Sequence, residues 1–309
     1  VDQWTGAGHV GKRKKVRSTP FREKNGKVPF NASGVALVGP GRFVFIDNRD
    51  PGALFEFALD DDGAEVGRIR RRPLVGVTDG MLQDPEGLAS VESQGDTYLV
   101  IGSSLGVAGA DGSGRKRVYD GLVRVRYNPD GDLHAEAMHG FRAWLLTHEP
   151  SLAVAGDREP DAGGLNIEGL AWDPRVSALV LGLRGPINPG RIAVVAIRVG
   201  ASTAPWTTAS LEASSILHAR IPRAGARQGV RDLTYDERTG EFLILLGRTI
   251  SRDDEPFQLC TWNGCDDDVQ LLDVAFHRSM KPEGITTFSS GGENKLLIVD
   301  DDGGYAVLG

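Results

Sequence analysis

A chain of 309 residues with 40% hydrophobic and 25% charged side chains, carrying Gly 41 and Pro 16, is not a disordered tail, a coiled coil or a collagen. A chain this long buries roughly three-quarters of its unfolded surface, so it can build a real core with many turns. Its formal net charge of −7 argues against a nucleic-acid or anionic-membrane partner, and no stretch reaches the ~18 apolar residues of a membrane span.

The N-terminal residue is Val1, which fits either a cleaved signal segment or a trimmed chain. The basic run Lys12-Arg13-Lys14-Lys15 reads as a solvated segment. Beyond it a short pattern recurs: a small polar loop, Glu-Gly, an apolar residue and a small one. The copies, in chain order, are Asn31-Ala-Ser33-Gly34-Val-Ala36, Asp84-Pro-Glu86-Gly87-Leu-Ala89, Asn166-Ile-Glu168-Gly169-Leu-Ala171, Gly229-Val-Arg231-Asp232-Leu-Thr234 and Lys281-Pro-Glu283-Gly284-Ile-Thr286. The first is the weakest and the fourth is degenerate.

An apolar strand ending in a polar cluster follows each copy: Phe43–Ile46, Tyr98–Ile101, Leu179–Leu181, Phe242–Leu246 and Leu296–Val299. Third strands are expected over Ala53–Leu59, Gly121–Tyr127, Arg191–Val199, Phe257–Trp262 and Tyr305–Leu308. Fourth strands are expected over Val66–Arg70, Leu133–Met138, Ile216–Ile221 and Val269–Val274. Four strands repeating every ~50 residues or more is the signature of a β-propeller. The reading is an all-β, single-domain propeller of five blades, six being open if the long second unit hides another. Residues 139–165 form an insertion with a short helix near Phe141–Leu146 and a loop over Gly156–Gly164. The last unit lacks a fourth strand. The N-terminal segment, residues 1–29, supplies it around Val16–Phe21 and closes the ring, removing two open edges.

Cys260 and Cys265 flank the turn signal Asn263-Gly264, so a local disulfide is expected, and with it an exported rather than cytoplasmic protein.

The start of a blade's first strand and the end of its second lie on one face of the disc. That places Glu86, Glu168, Arg231, Asp232 and Glu283 around one mouth of the channel. Asp47, Arg49, Ser103, Ser104, Arg184, Arg248, Asp300 and Asp301 join them. Converging carboxylates repel unless something positive sits among them. One candidate is Ca²⁺ or another divalent cation, held by Asp47, Glu86, Asn166, Glu168, Glu283 and Asp300, with Asn48 as a further donor. The other is the arginines themselves. Arg184 and Arg231 can clamp a small anion, with Arg49, Ser104, Arg248 and Asp301 contributing substrate contacts. The recurring Glu-Gly also has a purely structural reading, close strand approach at the axis and hydrogen bonds between blades.

The ordered set Asp-Pro-Glu-Gly-Leu-Ala, Asn-Ile-Glu-Gly-Leu-Ala, Leu-Arg-Gly-Pro, Gly-Val-Arg-Asp-Leu, Pro-Glu-Gly and Asp-Asp-Gly resembles a bacterial propeller family known as a domain of unknown function. That family looks like a relative of the esterase-like phytase propellers. The resemblance spans about residues 30–309 and is most specific at Asn166–Ala171, Leu183–Pro186 and Gly229–Leu233. Where the family usually shows Gly-Ser-His, this chain has Gly102-Ser103-Ser104.

Three functions compete. The first is a metal-assisted hydrolase of a small anionic ester, a phosphoester or lactone. Glu86, Glu168, Asp232 and Glu283 would hold the cation, and Arg184 and Arg231 would stabilise developing charge. The second is a non-catalytic ligand- or protein-binding propeller. The third is a metal-free glycosidase using paired carboxylates. Against it, Trp144, Trp172, Trp206 and Trp262 fall off the predicted mouth or are ambiguous, whereas sugar sites favour stacked rings.

Overall fold

The computed structural model describes residues 14–78, 80–110, 116–200, 205–223, 227–250 and 254–309. The basic run lies mostly outside them. The described chain is all-β and propeller-like, built from antiparallel four-stranded units met in sequence order.

The first unit is Ala32–Gly39, Arg42–Asp47, Ala53–Leu59 and Glu65–Val75. The second is Pro85–Ser93, Asp96–Ser103, Leu122–Arg126 and Leu133–Met138. Their outermost strands pair in parallel, Leu133 with Leu74 and His134 with Val75, so the two units share one eight-stranded sheet. The third unit, Asn166–Asp173, Ala178–Gly185, Arg191–Val199 and Leu211–Arg220, is a sheet of its own. So is the fourth, Gln228–Asp236, Glu241–Arg248, Gln258–Trp262 and Gln270–Leu271. In the last, Pro282–Ser290, Glu293–Asp300 and Gly304–Leu308 are completed by Thr19–Pro20, Thr19 facing Tyr305 and Pro20 facing Gly304. Lys14–Val16 pairs with Val274–Phe276.

The inner strands are buried in continuous runs because both faces of each sheet are covered. Val44, Ile46 and Leu54 of the first unit meet Leu88, Leu99 and Ile101 of the second. Val180 and Val194 of the third unit meet Val230 and Ile244 of the fourth. Leu243 and Leu245 of the fourth meet Ile285 and Ile298 of the last. An aromatic layer joins the last unit to the first. There Phe21 stacks on Phe45 with centroids 5.1 Å apart and lies 5.3 Å from Tyr305. Burying these layers is the main stabilising term, at about 25 cal/mol per Å² of apolar surface.

Between the second and third units the insertion adds two helices, Phe141–His148 and Pro150–Gly156, then a single turn at Pro160–Ala162. The helical stretch is longer than the sequence suggests. Phe141, Leu145, Leu152 and Ala155 supply a helical stripe that the inter-unit core buries. A hairpin, Val107–Ala110 with Lys116–Val118, was not anticipated.

The expected disulfide is not formed. Cys260 and Cys265 are both free thiols, one buried and one exposed. Cys260 points into the core between sheets, its Sγ 3.7 Å from the Ile244 carbonyl oxygen. Cys265 sits on the surface turn, where its backbone N–H donates to Asn263 Oδ1 at 3.0 Å. The argument for export that rested on that bond falls with it. Among the described residues, no helix is long and apolar enough to cross a membrane.

Candidate functional site

One irregularity recurs in every unit. The register between first and second strands slips between Ser33 and Val35, Pro85 and Gly87, Ile167 and Gly169, Val230 and Asp232, and Pro282 and Gly284. The skipped residues are Gly34, Glu86, Glu168, Arg231 and Glu283. A bulge releases its extra residue from the ladder and re-aims the side chain. Here the four side chains converge, since residues of three different units touch one another.

The first strands also approach closely. A Cβ on Gly87 would lie 2.6 Å from Leu170 Cβ of the next unit. The structural reading of Glu-Gly is therefore right for the glycine, and the Glu is presented by the bulge beside it.

Arg231 is the hub. Its Nε donates to Glu283 Oε2 at 3.0 Å and lies 2.9 Å from Glu168 Oε2, while its Nη2 donates to Glu283 Oε1. Arg184 Nη1 reaches Glu168 Oε1 at 2.5 Å, and Asn166 Nδ2 donates to the same oxygen at 3.1 Å. Burial pulls the Arg231 pKa down, but Glu168 and Glu283 outweigh it and hold the guanidinium above its ordinary value. The anion clamp expected of Arg184 and Arg231 is thus filled by the chain's own Glu168.

Glu86 is different. Its carboxyl receives only neutral donors, Ser33 Oγ at 2.8 Å and Asn48 Nδ2 at 3.1 Å. Burial, then Glu168, Asp84 and Glu283, push its pKa well above the ordinary carboxylate range. Burial also raises Glu283 to about 7, against the pull of Arg231. Asp84, with positive φ of 49°, holds Ser104 Oγ at 2.6 Å and is raised by burial too. Sequence reasoning missed Asp84 although it opens the second repeat. It also missed Ser33 and the close packing of Gly34 against Glu86 and Leu88.

The remaining expected site residues divide by what they touch. Asp232 is a latch, fully buried, its Oδ2 accepting the Ile285 N–H of the last unit at 2.6 Å. Asp47 accepts Asn25 Nδ2 at 3.0 Å and the Arg49 N–H at 3.0 Å. Arg49 itself bonds the Pro29 carbonyl, tying down the N-terminal segment. Asp300 shapes its own hairpin, accepting the Asp302 N–H at 3.0 Å. Arg248 contributes a carbonyl, to Arg184 Nε at 3.2 Å. Asp301 is half-buried beside the Lys281–Asp302 pair, and burial raises its pKa. Ser104 meets Asp84 rather than open space.

The metal donors proposed from sequence are therefore already engaged. Asp47 and Asp300 serve backbone amides, Glu168 and Glu283 serve Arg231, and Asn166 serves Glu168. Among the described residues no group of three or more carboxylate, His or Cys side chains is arranged to hold a metal ion. A divalent cation at this ring would have to displace those bonds.

Residues 153–306 match the family model described as protein of unknown function, DUF3616. No curated protein matches the sequence. Among solved structures the fold is similar to a GH43 β-1,3-galactosidase bound to galactodeoxynojirimycin, with TM-score 0.51, 9% identity, and coverage of 94% of this chain and 93% of that one. It is also similar to an exo-β-1,3-galactanase from Clostridium thermocellum, with TM-score 0.50, 9% identity, and coverage of 95% of this chain and 61% of that one. At such identity the likeness speaks for the fold alone.

Proposed function

We propose that this chain is a five-bladed propeller, closed by Thr19–Pro20, that hydrolyses an uncharged glycosidic bond with a pair of carboxyl groups. The observation that carries it is the charge matching of the ring. Two guanidiniums serve Glu168 and Glu283, and Glu86 is left with neutral donors only. Environments that set neighbouring carboxyl groups apart in this way assign acid and base roles.

Glu86 is the proton donor. Glu283, oriented by both arms of Arg231, is the base. Gly34 lies between their two units and brings no side chain to the ring. A Cβ there would meet the Glu86 carbonyl oxygen at 2.8 Å, and one on Gly284 would meet Gly34 N at 2.9 Å. The reacting bond lies between the Glu86 and Glu283 carboxyl groups, and the first strands pack tightly beneath it at Gly34. Glu86 gives its proton to the leaving oxygen as the C–O bond breaks. Water adds to the anomeric carbon and passes a proton to Glu283.

An anionic phosphoester suits this mouth poorly. Asp84, Glu86, Glu283 and Asp301 surround it, and Arg184 and Arg231 are already spent on carboxylates. A second reading, a non-catalytic binding propeller, draws support from the completeness of the Arg–Glu lattice. Aryl glycosides and aryl esters of several sugars and acids separate the readings. Turnover of a glycoside that Glu86→Gln abolishes is the expected result. Ester turnover alone, or none with any substrate, counts against the glycosidase.

A further inference from the structure

The first strands have a second end. Glu92 lies on the strand that begins beside Glu86, and six residues at ~3.3 Å each put about 20 Å between them. On that far face, between the second and third units, lies a cavity of about 780 Å³. It is lined by Tyr98, Trp172, Trp206, Glu92, Arg198 and Glu212, among others. It adjoins a cavity of about 790 Å³ at the axis, because Glu92, Trp172 and Pro174 line both. The result is an elongated groove running from the axis toward the rim.

Its walls are aromatic and fixed. Trp206 Nε1 donates to the Leu122 carbonyl at 3.0 Å, which pins the indole. The Arg124 guanidinium lies 5.0 Å from the Trp206 ring and 5.7 Å from the Tyr98 ring. Half-buried Trp172 packs its inner side on the core and lines the junction of the two cavities.

Its charges are matched. Arg124 pairs with Glu136 at 2.7 Å, Arg175 with Asp173 at 2.9 Å, and Arg198 with Glu212 at 3.4 Å. Glu92 accepts Thr97 Oγ1 at 2.6 Å and is exposed. An anionic ligand would find the guanidiniums of Arg124, Arg175 and Arg198 already paired, and Arg238 lines the axial cavity together with Asp236 and Glu237. A ligand with an apolar face for the rings and hydroxyls for the remaining carboxylate oxygens finds both. The length of the groove asks for a chain rather than a single ring.

We infer that this groove binds a linear, uncharged oligosaccharide, with Trp172 as its stacking platform. The groove is separate from the acid ring and does not depend on the ring's reaction.

The test is titration of the full chain with cellohexaose, laminarihexaose and xylohexaose, with hexagalacturonate as the charged comparison, followed by calorimetry and tryptophan fluorescence. At least one neutral hexasaccharide should bind. Trp172→Ala should weaken it about tenfold, the size of one lost stacking contact. Trp172→Phe should keep most of the affinity and guards against a folding defect in the alanine variant. Glu86→Gln should leave binding unchanged, whatever it does to turnover. The inference is overturned if no neutral hexasaccharide binds, if hexagalacturonate binds best, if folded Trp172→Ala protein binds as tightly as the unaltered chain, or if folded Trp172→Phe protein loses binding altogether.

Discussion

Glu86 accepts its shortest hydrogen bond, 2.8 Å, from Ser33 of the neighbouring unit. A hydroxyl stands where the other two ring carboxylates have a guanidinium. The contact holds the carboxyl in place and pulls its pKa down, but burial and the nearby carboxylates outweigh it and keep Glu86 well above the ordinary range.

Replacing that carboxyl by an amide keeps its shape and removes a charge that burial disfavours. Glu86→Gln should therefore change thermal stability little, within about 1 kcal/mol. The same change removes the transferable proton. Turnover of a glycoside should fall by about 10²-fold or more. A large loss of melting temperature together with the loss of turnover would make Glu86 structural.

Stability should depend on pH with a definite sign. Glu283 and Glu86 are both raised in the folded state, Glu283 to about 7. The unfolded chain releases these protons near the ordinary Glu value, while the folded chain keeps them. Their contribution is complete below that value and is lost as pH rises through about 7 for Glu283 and through the raised pKa of Glu86. Melting curves from acid to mildly alkaline pH should show the decline, and Glu283→Gln should flatten its first part. Activity should rise as Glu283 ionises and fall again when Glu86 does.

Arg231 holds two buried carboxylates at once. Arg231→Met leaves both without their shared cation, and the cost should be about 3–5 kcal/mol in denaturant unfolding. Adding Glu283→Gln to Arg231→Met should restore part of that loss. If the two changes simply add, the pair is not coupled as the geometry requires.

The latch at Asp232 makes a narrower prediction. Asp232→Ala orphans the buried Ile285 N–H and should cost about 1–3 kcal/mol, whereas Asp232→Asn, which keeps an acceptor oxygen, should cost less. Equal losses from the two variants would show that the charge matters rather than the acceptor.

The thiols offer a simple check. A thiol reagent should modify Cys265 in the folded protein and reach Cys260 only after unfolding, because Cys260 is fully buried and burial raises its pKa beyond ordinary reach. Fast reaction of both thiols in the native state would contradict the packing around Cys260.

The repeated unit was legible from the chain alone. Ala53–Leu59, Arg191–Val199 and Leu133–Met138 are observed with the bounds their apolar patterns suggest. Strand alternation and turn chemistry are local, so sequence carries them directly. The bulge residues Glu86, Glu168, Arg231 and Glu283 were legible as well, because each stands in the repeated motif. What each does there was not. Asp232 and Asp47 look like ligands in a list, yet one latches a backbone amide of another unit and the other anchors the N-terminal segment.

Sequence by itself determined the strands and the Glu-Gly repeat. Only the tertiary structure decided the charge assignment. Glu86, Glu168 and Glu283 share one motif, but their chemistry depends on partners more than 50 residues away in sequence, Ser33 for Glu86 and Arg231 for both of the others. A carboxyl group's proton is set by what surrounds it in space. The bulge that aims it, the close strand approach at Gly34 and the groove at the far end of the same strands exist only once the units are packed together.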